Sequence, residues 1–144
     1  MIEQDTIKLL RECDAGIKMG ISSLDDSMKY VKNPELKEIL GNSAKEHTKI
    51  KHDMQNLLDR YHDDGKEPPA MAKGMEWLKT NVKLAVEASD NAVAAFITDG
   101  CNMGIKSLSR YMNQYKAADE KSKNISKKLI NIEEKLAFDI RQFL

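Results

Sequence analysis

Residues 125–143 read ISKKLINIEEKLAFDIRQF, and apolar side chains recur in this stretch every three or four residues. These apolar positions are Ile125, Leu129, Ile132, Leu136, Ile140 and Phe143. An α-helix completes a turn about every 3.6 residues, so this spacing places the apolar side chains on one face. The stretch therefore predicts an amphipathic helix.

Three other segments show similar spacing. Their apolar positions are Ile7, Leu10, Ile17, Ile21, Leu24 and Met28 in the first segment, Leu36, Ile39, Leu40, Ile50, Met54, Leu57 and Tyr61 in the second, and Ile97, Cys101, Ile105, Leu108, Met112 and Tyr115 in the third. No segment shows the period-two alternation of a strand bounded by hairpin turns. We therefore predict an all-α fold with four long helices.

Helix-breaking residues set the boundaries between these segments. Asn33-Pro34-Glu35 is typical of a helix start, because asparagine caps free amides, proline fits the first turn and an acid suits the helix dipole. A polar stretch with glycine and two prolines begins at His62. We expect a single domain over residues 1–144, with a helical hairpin at 1–61, a long crossover at 62–88 and a second hairpin at 89–144. This is the organisation of a four-helix bundle with one crossover.

An internal repeat supports two related hairpins. Cys13-Asp14-Ala15-Gly16-Ile17-Lys18 recurs, offset by 88 positions, as Cys101-Asn102-Met103-Gly104-Ile105-Lys106. In the helix that follows, the offset is 86, which pairs His47 with Glu133. A glycine at the same place in each copy, Gly16 and Gly104, predicts close packing against a neighbouring helix or side chain.

Composition excludes several classes of protein. The chain has 144 residues, with 23 basic and 23 acidic side chains, and its net charge of zero argues against general nucleic-acid binding. The longest apolar run, at 92–97, is far shorter than the roughly 20 residues of a membrane span. Two cysteines are too few for a disulfide scaffold, so we expect a cytoplasmic protein.

Candidate site residues are the polar and thiol side chains near the middle of the predicted helices, where bundles build their sites. They are Cys13, Glu46, His47, Cys101 and Glu133. Thiolate, imidazole and carboxylate together suit zinc or a similar transition metal. A complete di-metal carboxylate centre is not expected, because neither glutamate is followed by histidine three residues later. The two thiols could instead form a disulfide, or simply pack as small apolar groups.

Four motifs together resemble a known family. They are the CxxGIK pattern at 13–18, the break at 33–36, Ala44-Lys45-Glu46-His47, and CNMGIKSLSRYMNQY at 101–115. The chain resembles a bacterial ferritin-like family of small uncharacterised four-helix proteins, known as a domain of unknown function. This resemblance implies a ferritin-like bundle and no established activity. It carries over only Glu46 and His47, as a remnant of a site.

No phosphate-binding loop, GxSxG motif or nucleotide fingerprint is present, since the seven glycines are scattered singly. We therefore expect a non-enzymatic binding or stress-associated protein with no required cofactor. Within the binding class, the runner-up interpretation is a homodimer formed through an exposed apolar face. The alternative is a metal-binding or thiol-redox protein with its site at the bundle centre.

Overall fold

The computed structural model describes residues 2–66 and 89–144. Four helices span Ile2–Met28 (α1), Pro34–Arg60 (α2), Ser89–Gln114 (α3) and Glu120–Asp139 (α4), and a short 3-10 helix follows at Arg141–Phe143. All regular structure in the described ranges is helical, which confirms the all-α prediction. Most of the predicted crossover, residues 67–88, lies outside the described residues.

Two of the helices begin at side-chain caps. The Asn33 side-chain oxygen accepts hydrogen bonds from the backbone N–H groups of Glu35 and Leu36, at 2.8 and 3.2 Å. Asp119 caps α4 by accepting the backbone N–H of Ser122 at 2.8 Å. A cap of this kind stabilises a helix by about 1 kcal/mol. The predicted start at Asn33-Pro34 is confirmed.

Contacts at the two ends of the bundle establish the helix directions. At one end, the Tyr61 hydroxyl donates to Asp119 at 3.2 Å, and the Asp119 backbone N–H donates to the Thr6 hydroxyl at 2.8 Å. The start of α1, the end of α2 and the start of α4 therefore meet there. At the other end, Asp90 near the start of α3 accepts the Lys32 backbone N–H at 2.8 Å. Hence α2 and α3 run in one direction, while α1 and α4 run in the other.

Each helix packs against two antiparallel neighbours. Helix α1 lies against α2 and α3, and α4 completes the arrangement by contacting the same two helices. The described residues thus form a four-helix bundle, as the spacing of the apolar side chains predicted. None of the described helices has the length and apolar character needed to cross a lipid bilayer.

The bundle interior contains two apolar clusters. The cluster nearer the start of α1 includes Leu9, Leu10, Cys13, Ile17, Ile50, Met54, Leu58 and Leu129. The cluster nearer the end of α1 includes Leu24, Leu36, Leu40, Ala44, Val93, Ile97, Cys101, Leu136 and Ile140. Along α2, His47 lies between the residues of these clusters, and Glu133 does so along α4. A polar pair therefore sits between the two halves of the core.

The segment after α2 is attached to α1 by charged groups. The Arg11 guanidinium makes a bidentate ion pair with Asp63, with a shortest distance of 2.6 Å. The Lys66 backbone N–H donates to the buried Asp14 carboxylate at 2.9 Å. Gly65 has a φ of 84°, a left-handed conformation that favours glycine, and it packs directly against Asp14. These contacts hold the end of the first hairpin against the bundle.

Candidate functional site

His47 on α2 and Glu133 on α4 form a buried pair at the bundle centre. The imidazole Nε2 lies 2.9 Å from Glu133 Oε1. The His47 side chain is 1% exposed and that of Glu133 is 12% exposed. The two positions that the 86-residue offset matched in sequence are therefore in direct contact.

The hydrogen bonds of His47 define its protonation. Nδ1 lies 2.8 Å from the Ser43 carbonyl oxygen, and because a carbonyl only accepts, Nδ1 carries a hydrogen. Nε2 faces a carboxylate oxygen at hydrogen-bond distance, so a second proton lies between them. Burial lowers the pKa of His47, but the hydrogen bond and negative charge of Glu133, with smaller contributions from the Ser43 carbonyl and the Glu46 charge, raise it above its ordinary value. Both ring nitrogens are thus engaged, and the surroundings favour the protonated imidazole, which can donate to both partners.

Two glycines provide the space for this pair. A Cβ atom on Gly20 of α1 would lie 3.2 Å from His47 Cδ2, and one on Gly104 of α3 would lie 3.7 Å from the Glu133 carboxyl carbon. Gly104 packs beside Glu133, as predicted, although a Cβ there would make only an ordinary van der Waals contact. At Gly16 the predicted close packing is not seen among the described residues, none of which would lie within 4 Å of a Cβ there. Gly20, one helical turn later, takes the role, and sequence reasoning missed it.

The two cysteines occupy different levels of the bundle. Cys13 Sγ lies 3.1 Å from the Ser126 hydroxyl, whereas the Cys101 thiol interacts with the Glu133 carboxylate. Ser126 and Glu133 are seven residues apart on α4, a rise of about 10 Å. This separation is too great for the two thiols to form a disulfide, and both are free.

Both thiols are held in their protonated form. Burial is the main cause that raises the pKa of Cys13, to about 11. Burial and the adjacent Glu133 carboxylate raise the pKa of Cys101. Because the thiolate is the reactive form, these two cysteines are poor nucleophiles at neutral pH.

Glu46 lies away from the central pair. Its side chain is 39% exposed, and its carboxylate pairs with Lys135 Nζ at 3.3 Å on the surface between α2 and α4. Of the five predicted site residues, the structure therefore brings together His47, Glu133 and Cys101. It places Cys13 in the cluster near the start of α1.

The residues at the centre do not fit a metal site as they stand. The chemistry of the donors suits a transition ion, and a histidine whose Nδ1–H binds a carbonyl is typical of metal ligands. However, Nε2, the nitrogen left to bind a metal, already shares a proton with Glu133. Across residues 2–66 and 89–144, no group of three or more histidine, cysteine or acidic side chains is placed to hold an ion.

A surface groove lies where α2 begins and α4 ends. This α2–α4 groove has a volume of about 460 Å³ and is lined by Glu35, Ile39, Phe138, Asp139, Arg141 and Gln142. Phe138 is 63% exposed, and the Arg141 guanidinium lies 5.2 Å from the centre of its ring. The sequence carried a signal for this feature, since Phe138 falls outside the apolar positions of its helix.

The groove carries charges of both signs that form no ion pair within the described part of the chain. Arg141 makes a cation–π contact with Phe138 but no ion pair with any other described residue. Glu35 and Asp139 likewise form no ion pair within the described ranges. A cation, two carboxylates and an exposed aromatic ring are therefore available to a binding partner.

Comparison with known proteins found no matching family model, no matching curated protein and no matching solved structure. The resemblance to a ferritin-like family stays a prediction.

Proposed function

We propose that this chain is a non-enzymatic binding protein that uses the α2–α4 groove as its binding surface. The observation that carries the proposal is the exposed Phe138 side chain beside a groove of about 460 Å³. Aromatic side chains next to arginine are common anchors in protein interfaces. Burying the Phe138 ring against a partner would remove apolar surface from water, which favours association.

The chemistry of the bundle centre supports a non-enzymatic function. The His47 imidazole is enclosed and has both nitrogens engaged, so it offers no free base to a substrate. The two thiols have raised pKa values and are therefore weak nucleophiles. The central polar groups can be understood as structural, since they satisfy one another within the core.

The proposal includes a ferritin-like connection between the two hairpins. The end of α2 and the start of α3 lie at opposite ends of the bundle, as the contacts of Tyr61 and Asp90 require. A crossover within residues 62–88 is the arrangement that this implies, and two repeated hairpins agree with the contact between His47 and Glu133.

The binding surface can be tested with an apolar fluorescent anion, anilinonaphthalene sulfonate, at low protein concentration. We expect wild-type protein to bind the dye and Phe138→Ser to bind it several-fold more weakly, because the aromatic anchor is lost. Met103→Ser is a matched control, since Met103 is 68% exposed on α3 and does not line the groove. Equal dye binding by wild type and Phe138→Ser would refute the proposed surface.

A metal-binding or thiol-redox function is the second candidate. It is favoured because His47 and Cys101 both interact with the Glu133 carboxylate. Elemental analysis of protein purified without chelator or affinity tag tests it. About one bound transition-metal ion per chain, lost in His47→Gln, would favour this candidate. No bound metal, together with unreactive thiols, would remove it.

A further inference from the structure

The α2–α4 groove carries the chemistry of a self-complementary surface. The end of α4 and the 3-10 helix after it contribute the Asp139 carboxylate and the Arg141 guanidinium to its lining, and the start of α2 contributes the Glu35 carboxylate. None of the three forms an ion pair elsewhere in the described residues. A surface that carries charges of both signs and an exposed aromatic side chain can pair with a copy of itself.

Resting on the proposed function, we infer that the partner in the α2–α4 groove is a second copy of this chain. In a two-fold dimer each contact occurs twice, because residue i of one copy meets residue j of the other and the reverse. Arg141 of each copy then faces Glu35 and Asp139 of its partner, and Phe138 of each copy enters the partner's groove. A strongly charged or single-sign partner would leave part of this charge set unpaired.

The charge of the whole chain favours the same partner. With 23 basic and 23 acidic side chains, two copies carry no net charge and do not repel one another at long range. The groove offers one aromatic anchor per copy, and each bundle buries its own core without help. We therefore expect a reversible, concentration-dependent dimer rather than an obligate one.

Sedimentation and light scattering over a wide range of protein concentration test the inference. We expect wild-type protein to change from monomer to dimer as its concentration rises. Phe138→Ser should weaken dimerisation at least about tenfold, whereas Met103→Ser should leave it unchanged. Circular dichroism checks that each variant is folded. We expect both variants to fold, because the Phe138 and Met103 side chains are largely exposed.

A charge exchange tests the two-fold pairing itself. Two variants reverse charges in the groove: the single variant Arg141→Glu, and the double variant Glu35→Lys with Asp139→Lys. Each should weaken self-association, because like charges then face each other at both symmetric contacts. Mixing the two variants should restore association. In the mixed dimer the new glutamate faces the new lysines, and the unchanged Arg141 faces the unchanged acids.

The possible outcomes separate this inference from the proposed function. Dye binding that depends on Phe138, in a chain that stays monomeric at all concentrations, would overturn the homodimer and leave the binding surface in place. A dimer that persists in Phe138→Ser and in both charge variants would place the interface elsewhere and also overturn the inference. Failure of the mixed variants to associate would overturn the two-fold pairing. If the dye bound equally well to wild type and Phe138→Ser, the proposed function would be overturned as well.

Discussion

Replacing Glu133 with glutamine keeps the shape of the side chain but removes the negative charge that favours the protonated form of His47. In the wild type, burial lowers the pKa of His47, but the hydrogen bond and charge of Glu133, together with the smaller effects of the Ser43 carbonyl and the Glu46 charge, raise it above its ordinary value. This contribution to stability is present below the unfolded-state pKa of 6.5 and is lost as pH rises through the folded-state pKa. In Glu133→Gln, burial is opposed only by the smaller effects of the Ser43 carbonyl and the Glu46 charge, so we expect the pKa of His47 to fall below its ordinary value.

The expected size of the effect follows from proton linkage. A histidine that must stay neutral in the folded state, with an unfolded pKa of 6.5, costs roughly 1 kcal/mol at about pH 6 and about 2 kcal/mol at about pH 5. At alkaline pH the glutamine amide can donate to the neutral imidazole, so the variant then loses little. We expect the difference in unfolding free energy between wild type and Glu133→Gln to be small at alkaline pH and to grow toward acid.

Urea denaturation followed by circular dichroism at several pH values measures this difference, and the NMR titration of the His47 ring measures its pKa directly. Glu46→Gln is the matched control. It is the same chemical change next to His47, but at a side chain that is 39% exposed, so we expect a loss below about 1 kcal/mol at every pH. A loss in Glu133→Gln that is independent of pH, or no larger than that of the control, would refute the reasoning.

Three further predictions concern glycines and thiols. Gly16→Ala should stabilise the protein by about 0.5–1 kcal/mol in urea denaturation. Gly20→Ala should stabilise it less or destabilise it, because its Cβ would crowd the buried imidazole. Equal gains in unfolding free energy from the two substitutions would contradict this packing. Gly65→Ala should destabilise by at least about 1 kcal/mol, since its φ is 84°, and an unchanged midpoint would speak against that conformation. Cys13 and Cys101 should resist a disulfide reagent at neutral pH and react after unfolding. Rapid reaction of the folded protein would show that the thiols are accessible.

The helices could be predicted from sequence because their causes are local. The spacing of apolar residues depends on the geometry of a single helix, and the caps at Asn33 and Asp119 act on amides within three residues. These features do not depend on how the helices are arranged. The four helices, their approximate bounds and the absence of strands in the described ranges therefore followed from the sequence.

The candidate site could be predicted only in part. The repeat matched His47 with Glu133, but an alignment does not show that two side chains meet. Glu46 and His47 are neighbours in sequence, and yet one faces solvent while the other is buried, because consecutive residues on a helix point about 100° apart. Gly20 was missed because its role depends on the imidazole of another helix.

Local patterns in the sequence specify which segments are helical, where α2 begins and which face of each helix is apolar. The relative heights and rotations of the helices depend on packing between them, and these place His47 against Glu133 and the two thiols about 10 Å apart along α4. They also leave Phe138 exposed beside Arg141. The physical reason is that helical periodicity specifies which direction a side chain takes from its own axis, whereas packing between helices specifies which side chains share the same space.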